Sequence, residues 1–202
     1  GVLYQSLFKE NVNAFIAEFD ISTGNVRLPA HSVNELREQP YSPQWSSDGL
    51  SLFYGTDFRT LVIRPETSGV ERRVSFGREL SYPWWLVPSP DGRSVAVTAY
   101  DKDLNYGVFL IDPSDGASRK VIDIPKAGMV QPSPNWSPDG KAIYYKCRDR
   151  EAADFFVVMR RNLETGTERQ IYRGTLNPQE LVLSPDGTRF AFFHRDPGAG
   201  KP

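Results

Sequence analysis

The residues whose spacing comes nearest to a chemical site are Asp101, Asp103, Asn105 and Asp112. Oxygen ligands at alternate positions, with a carboxylate at the twelfth, are the pattern of a calcium loop. The glycine such a loop needs at its bend falls one residue late, at Gly107, and Tyr106 stands in its place. A polar hairpin tip is therefore the preferred reading, and no metal or cofactor is expected. Groups for catalysis are few. No Gly-x-Ser-x-Gly nucleophile elbow occurs. His31 and His194 are the only histidines, so a Ser-His-Asp triad or a histidine metal site has little to draw on. The single Cys147 excludes an intrachain disulfide and a multi-cysteine zinc site. On a strand it reads as a packed thiol. Gly198-Ala-Gly-Lys201 ends like a phosphate loop, but Arg195 replaces the required first glycine and Pro202 the required Ser or Thr. The carboxylates are scattered, and no glycosidase pair can be picked out.

Those residues hang on a repeat. Pro43-Gln-Trp-Ser-Ser-Asp-Gly49, Pro88-Ser-Pro-Asp-Gly92, Pro134-Asn-Trp-Ser-Pro-Asp-Gly140 and Leu183-Ser-Pro-Asp-Gly187 are its four copies, with glycines 43, 48 and 47 residues apart. Proline presets the first corner of a type I turn, aspartate suits the second, and glycine supplies the left-handed residue of a tight hairpin. The formal glycosylation sequon Asn135-Trp-Ser137 overlaps this motif and is discounted. After the turn, Ile143, Tyr145 and Cys147 alternate with Ala142, Tyr144 and Lys146, which is a strand signal. A second turn follows about 20 residues later, at Ser22-Thr-Gly24, Thr67-Ser-Gly69, Ser114-Asp-Gly116 and Glu164-Thr-Gly166. It sits between two further β-rich runs. Each repeat thus holds four strands, A and B around the first turn and C and D around the second. Tandem units of this kind are propeller blades.

The four copies resemble the WD40-like (PD40) repeat of TolB-type propellers, with its strand–Ser-Pro-Asp-Gly–strand signature. The same pattern occurs in the propellers of tricorn-type and prolyl-oligopeptidase-type peptidases. Ser47 replaces proline in the first copy, and Pro88 stands where two others have Trp, but Asp-Gly remains in each. The fold class is all-β, a propeller of four-stranded antiparallel blades spanning 1–202. The expected divisions are a partial blade at 1–30, blades at about 40–75, 83–124 and 131–173, and a partial blade at 178–202. Residues 1–7 read as a B strand, with 8–12 as its loop. A capping box, Ser32 to Glu35, points to a helical turn at 32–38. Residues 196–202 read as a loop towards a further strand. At about 46 residues per blade the chain holds about 4–5 blades. Part of a six- or seven-bladed ring is preferred over a closed four-bladed one, and open blade edges would invite self-association.

Net charge is −1 and 39% of residues are hydrophobic. No field favours nucleic acid or an acidic membrane, and no apolar run is long enough to span one. In propeller geometry the A–B and C–D turns share one face, and the B–C and D–A connections share the other. The second face has the irregular loops on which binding residues usually sit. Tyr41, Tyr82, Pro83, Trp84 and Trp85 are expected in D–A linkers. Phe58, Tyr100, Tyr106 and Asp149 are expected in B–C loops. Trp45 and Trp136, at one repeat position, read as packing residues. Tyr41, Tyr82, Trp84, Trp85 and Tyr106 are the candidate partner-binding residues, with Tyr82-Pro-Trp-Trp85 the densest aromatic cluster. A plug at a blade interface is the competing reading of that cluster. The resemblance implies a non-catalytic platform with a protein partner, in the periplasm or elsewhere outside the cytoplasm, or the sensor part of a larger signalling protein. The alternative is the substrate-gating propeller of a serine peptidase whose hydrolase domain lies elsewhere. A carbohydrate-active or lactonase-like enzyme would place acidic or histidine residues around the channel, and no convincing set is present.

Overall fold

The computed structural model describes residues 15–32, 40–77, 79–124, 133–149, 151–152 and 154–193. The expected strand and loop over 1–12, the helical turn beyond Ser32, His194 and the tail at 196–202 lie outside them.

Strands β1 (Phe15–Phe19) and β2 (Val26–Ser32) form a hairpin. Three four-stranded antiparallel sheets follow, each a meander. The first holds β3 (Tyr41–Trp45), β4 (Ser51–Thr56), β5 (Thr60–Pro65) and β6 (Arg72–Ser75). The second holds β7 (Ser81–Pro88), β8 (Val95–Tyr100), β9 (Tyr106–Ile111) and β10 (Ser118–Asp123). The third holds β11 (Asn135–Trp136), β12 (Ala142–Arg148), β13 (Phe156–Asn162) and β14 (Glu168–Gly174). A last hairpin joins β15 (Gln179–Leu183) to β16 (Phe190–Phe193). Among the described residues there is no helix long and apolar enough to cross a membrane.

The A–B turns are built identically. In each, the serine hydroxyl donates to the aspartate, as from Ser89 to Asp91 at 2.6 Å and from Ser137 to Asp139 at 2.5 Å. The aspartate accepts the N–H two residues on, at 2.9 to 3.0 Å. The serine oxygen accepts the N–H five residues on, at 2.8 to 3.0 Å. The glycine takes the left-handed conformation at each turn, for example φ +68° at Gly140. One hydroxyl thus ties the turn's start to the first residue of strand B, a satisfied local network of side chain and backbone.

Blades stack through alternate faces of their strands. Phe53, Leu61, Ile63 and Val74 of the first sheet meet Leu86, Val95, Val97 and Phe109 of the second. Ala96, Val108 and Leu110 on the other face of the second meet Ile143 and Tyr145 of the third. The turns also touch in series. A Cβ on Gly187 would lie 2.9 Å from Cδ of Pro138, and one on Gly140 lies 3.8 Å from Cδ of Pro90. In the first copy Ser47 substitutes for proline and donates its hydroxyl to the Pro90 carbonyl.

The turn network sets the response to acid. Asp48, Asp91, Asp139 and Asp186 are each held below the ordinary carboxylate range, first by the serine hydroxyl. Asp101 is held at about 2, first by Lys120, and Asp20 at about 2, first by Ser22. All lie below the unfolded value of 3.8, so their stabilisation is complete above that value and lost as pH falls through the folded values. Circular dichroism on acidification should stay level from pH 7 to about 4 and collapse between about 4 and 2. Loss of structure above pH 5 would contradict this.

Candidate binding site

Tyr41, Tyr82, Trp84 and Trp85 lie within inner strands β3 and β7, not in the linkers before them. Each strand extends by absorbing bulges. Register shifts fall between Tyr41 and Gln44, between Ser81 and Trp84, and between Trp84 and Val87. Pro83 sits at one of them, where a missing ladder N–H is tolerated. The bulges put side-chain-bearing residues in the left-handed region: φ is +51° at Ser42, +51° at Tyr82 and +54° at Trp85. Phe58 is left-handed too, at +50°, beside Asp57 at +53°. These two form a two-residue turn closed by the Arg59 N–H on the Thr56 carbonyl at 3.1 Å. Bulky residues occupy this region at a cost, and such outliers gather at functional places.

The strained residues surround one aromatic patch. Tyr41 stacks on Phe58 with centroids 5.1 Å apart. Trp84 meets Phe58 edge-on at 5.0 Å and Tyr41 at 5.7 Å. Tyr82 leans on Phe58 at 6.2 Å. Tyr82 is 62% exposed and Trp84 41%; Tyr41, Phe58 and Trp85 are half-buried. The first two thus rise as the walls of a notch with Phe58 between them. The Tyr41 ring rests on the Gly55 backbone, where an added Cβ would come within 2.2 Å of Cζ. Its hydroxyl is buried with no hydrogen-bond partner, as is the Thr56 hydroxyl beside it. Burial, and then the Asp57 charge, push the Tyr41 phenol above its ordinary range. A depression of about 610 Å³ adjoins the notch, lined by Phe58, Arg59, Gly77, Leu80, Ser81 and Tyr82.

The structure separates Tyr106 from this group. It opens strand β9, is only 6% exposed and packs on Tyr100 at 4.8 Å, so burial removes it from any contact surface. The Asp101 loop is a capped turn. Its carboxylate accepts the N–H groups of Asp103 and Asn105 at 3.0 and 2.9 Å and the Lys120 ammonium at 2.8 Å. Among the described residues no cluster of three His, Cys, Asp or Glu could hold a metal. His31 is exposed on β2, its Nδ1 3.4 Å from the Pro29 carbonyl. Asn135 of the sequon donates its amide to the Leu181 carbonyl of the next hairpin at 2.7 Å.

Trp136 packs as expected and donates Nε1 to the Val87 carbonyl of the preceding blade at 2.9 Å. Trp45, at the same repeat position, stays 44% exposed. One buried cation had no signal in composition. Lys146 is 3% exposed and donates to the Pro178 carbonyl, and desolvation pushes its pKa down. Its repeat equivalents are Gly55 and Thr98, so a break in an otherwise uncharged position was the available clue.

No family model matches the chain. It is 29% identical over 116 residues to an uncharacterized protein of Agrobacterium fabrum, covering 51% of this chain and 38% of that one. It is 29% identical over 150 residues to dipeptidyl-peptidase 5 of Porphyromonas gingivalis, covering 64% of this chain and 20% of that one. The chain therefore spans well under half the length of either relative. The crystal structure of TolB from Acinetobacter baumannii superposes on 92% of this chain and 44% of its own, with a TM-score of 0.69 at 20% identity. The ladder order, the repeated turns and this superposition agree: the chain has the fold of a TolB-type β-propeller.

Proposed function

We propose that the chain is a non-catalytic recognition platform that presents the aromatic notch to a protein partner outside the cytoplasm. The observation that carries this reading is the notch itself. The exposed rings of Tyr82 and Trp84 on strand β7 pack on half-buried Phe58 of the preceding blade, with left-handed backbone at Tyr82, Trp85 and Phe58, and exposed aromatics of this kind anchor interfaces. A photo-cross-linking residue at position 82 should capture a partner in cells, and Trp84→Ala should abolish that capture. The circular dichroism of the variant should match the parent, since Trp84 is 41% exposed. Equal capture by the variant would remove the notch from consideration.

The second reading is a substrate-gating propeller of a serine peptidase, favoured by the likeness to dipeptidyl-peptidase 5. Sequencing the gene on both sides of this segment separates the two. A neighbouring domain with a Gly-x-Ser-x-Gly elbow would make the chain part of a peptidase. Further Ser-Pro-Asp-Gly blades beside a signal peptide or a signalling domain would favour the platform.

A further inference from the structure

Each complete blade sets a residue of strand C directly opposite an arginine of strand D, on the side that turns to the next unit. The pairs are Ile63 with Arg72, Leu110 with Arg119 and Arg160 with Arg169. Ile63 and Leu110 are buried in the cores between blades. The third blade breaks the pattern by placing a second cation there. The strand D arginine itself recurs after every C–D turn, as Arg27, Arg72, Arg119 and Arg169. Arg27 pairs with Asp20, Arg72 donates to the Pro113 carbonyl, and Arg119 lines a cleft together with Glu164 of the third blade. Arg169 is exposed and has half-buried Arg160 directly across from it. Neither side chain makes an ion pair or hydrogen bond with a described residue. Arg160 lies 6.0 Å from the Tyr144 ring centroid. The nearby Asp139 feels its charge, but that carboxylate is already held by the Ser137 hydroxyl and the Lys141 N–H. On the opposite face of the same two strands Arg161 meets Glu168 at 3.6 Å. Like charges set directly opposite destabilise a sheet, so the Arg160–Arg169 pair lacks the negative charge that would compensate it.

We propose that Arg160 and Arg169 form a binding site for a doubly charged oxyanion of the phosphate class. Two guanidinium groups together balance the charge of about −1.5 to −2 that a phosphate group carries at neutral pH. Each presents a planar fork of donors that matches phosphate oxygens. Directly opposed positions hold their Cβ atoms about 4.5–5.5 Å apart, so one tetrahedral ion can accept from both forks. Its charge turns the repulsion between the two arginines into attraction. The site is separate from the aromatic notch and does not depend on the platform reading.

The test is urea unfolding and phosphorus NMR of the whole chain with inorganic phosphate, the ionic strength being held constant with sodium chloride. The unfolding midpoint should rise with phosphate, and the phosphorus line should shift saturably with a dissociation constant on the order of millimolar. Arg169→Gln should weaken binding at least about fivefold. Arg161→Gln, on the opposite face, should leave it within about twofold. Arg160→Leu restores the aliphatic residue of the other blades. It should abolish binding and, without phosphate, raise the midpoint above that of the parent by relieving the repulsion. A purely structural role for the arginines predicts the opposite sign for that variant. O-phosphoserine distinguishes the sources: binding as tight as that of phosphate supports the site with a phosphate ester as its ligand, and binding of inorganic phosphate alone supports it with the free ion. No saturation by about 10 mM, equal affinity for Arg169→Gln, or a lower midpoint for Arg160→Leu would each overturn the proposal.

Discussion

Gly116→Ala is expected to lower stability by more than about 2 kcal/mol, the largest effect of any single methyl group added at a turn. Two causes act together. Gly116 has φ +83°, a conformation that costs a residue with a Cβ about 1–2 kcal/mol. Its Cβ would also lie 2.0 Å from the Ser75 carbonyl oxygen and 3.0 Å from Cγ1 of Val74. That oxygen is backbone of β6 and cannot swing aside as a side-chain end would. The C–D turn of the second blade is thus pressed onto strand D of the first, and Arg72 reinforces the contact by donating to the Pro113 carbonyl. Gly24 is the internal comparison. It has φ +71° and nothing within 4 Å of the added carbon, so Gly24→Ala should cost only the conformational share. Urea unfolding of both variants checks the contrast. Equal losses would mean that the blades do not meet at Gly116.

The repeated turns show why so much of this fold could be read from the chain. Asp-Gly and Thr-Gly each force a local conformation that few other dipeptides reach, so hairpin positions follow from short-range chemistry. Strand alternation between the turns then fixes which faces meet, as Phe53 and Val97 confirm on one side and Ala96 and Ile143 on the other. Strands β3 and β7 were harder. Their bulges sit on Ser42, Tyr82 and Trp85, residue types that carry no turn signal, and Pro83 interrupts the pattern. They read as linkers for that reason, although the aromatic cluster they bear was visible. Tyr106 was misplaced because the polar run before it resembles an open loop. Its partners Tyr100 and Thr98 come from the neighbouring strand, a pairing that only the fold supplies.

Ser137→Ala should cost about 1–3 kcal/mol, although the serine reads in the sequence as a mere companion of the turn. Its hydroxyl donates to Asp139 at 2.5 Å and accepts the Ala142 N–H at 2.8 Å. Ser137 is 4% exposed and Ala142 fully buried, so water cannot replace the lost oxygen, and an unsatisfied buried donor carries its full desolvation penalty. Ser184 makes the same bonds, to Asp186 at 2.5 Å and from Arg189 at 2.9 Å. Arg189 is exposed, water can take over there, and Ser184→Ala should cost less than about 1 kcal/mol. Chemical denaturation of the two variants measures the difference. A second readout separates the hydrogen bond from simple packing. The hydroxyl is the first cause of the depressed Asp139 carboxyl, so in Ser137→Ala that group should titrate closer to its ordinary value of 3.8, followed by carbon NMR of the side chain. Its share of the acid sensitivity should fall with it, because a smaller gap between folded and unfolded values leaves less stability to lose on acidification. An unchanged Asp139 titration with lowered stability would assign the loss to packing alone.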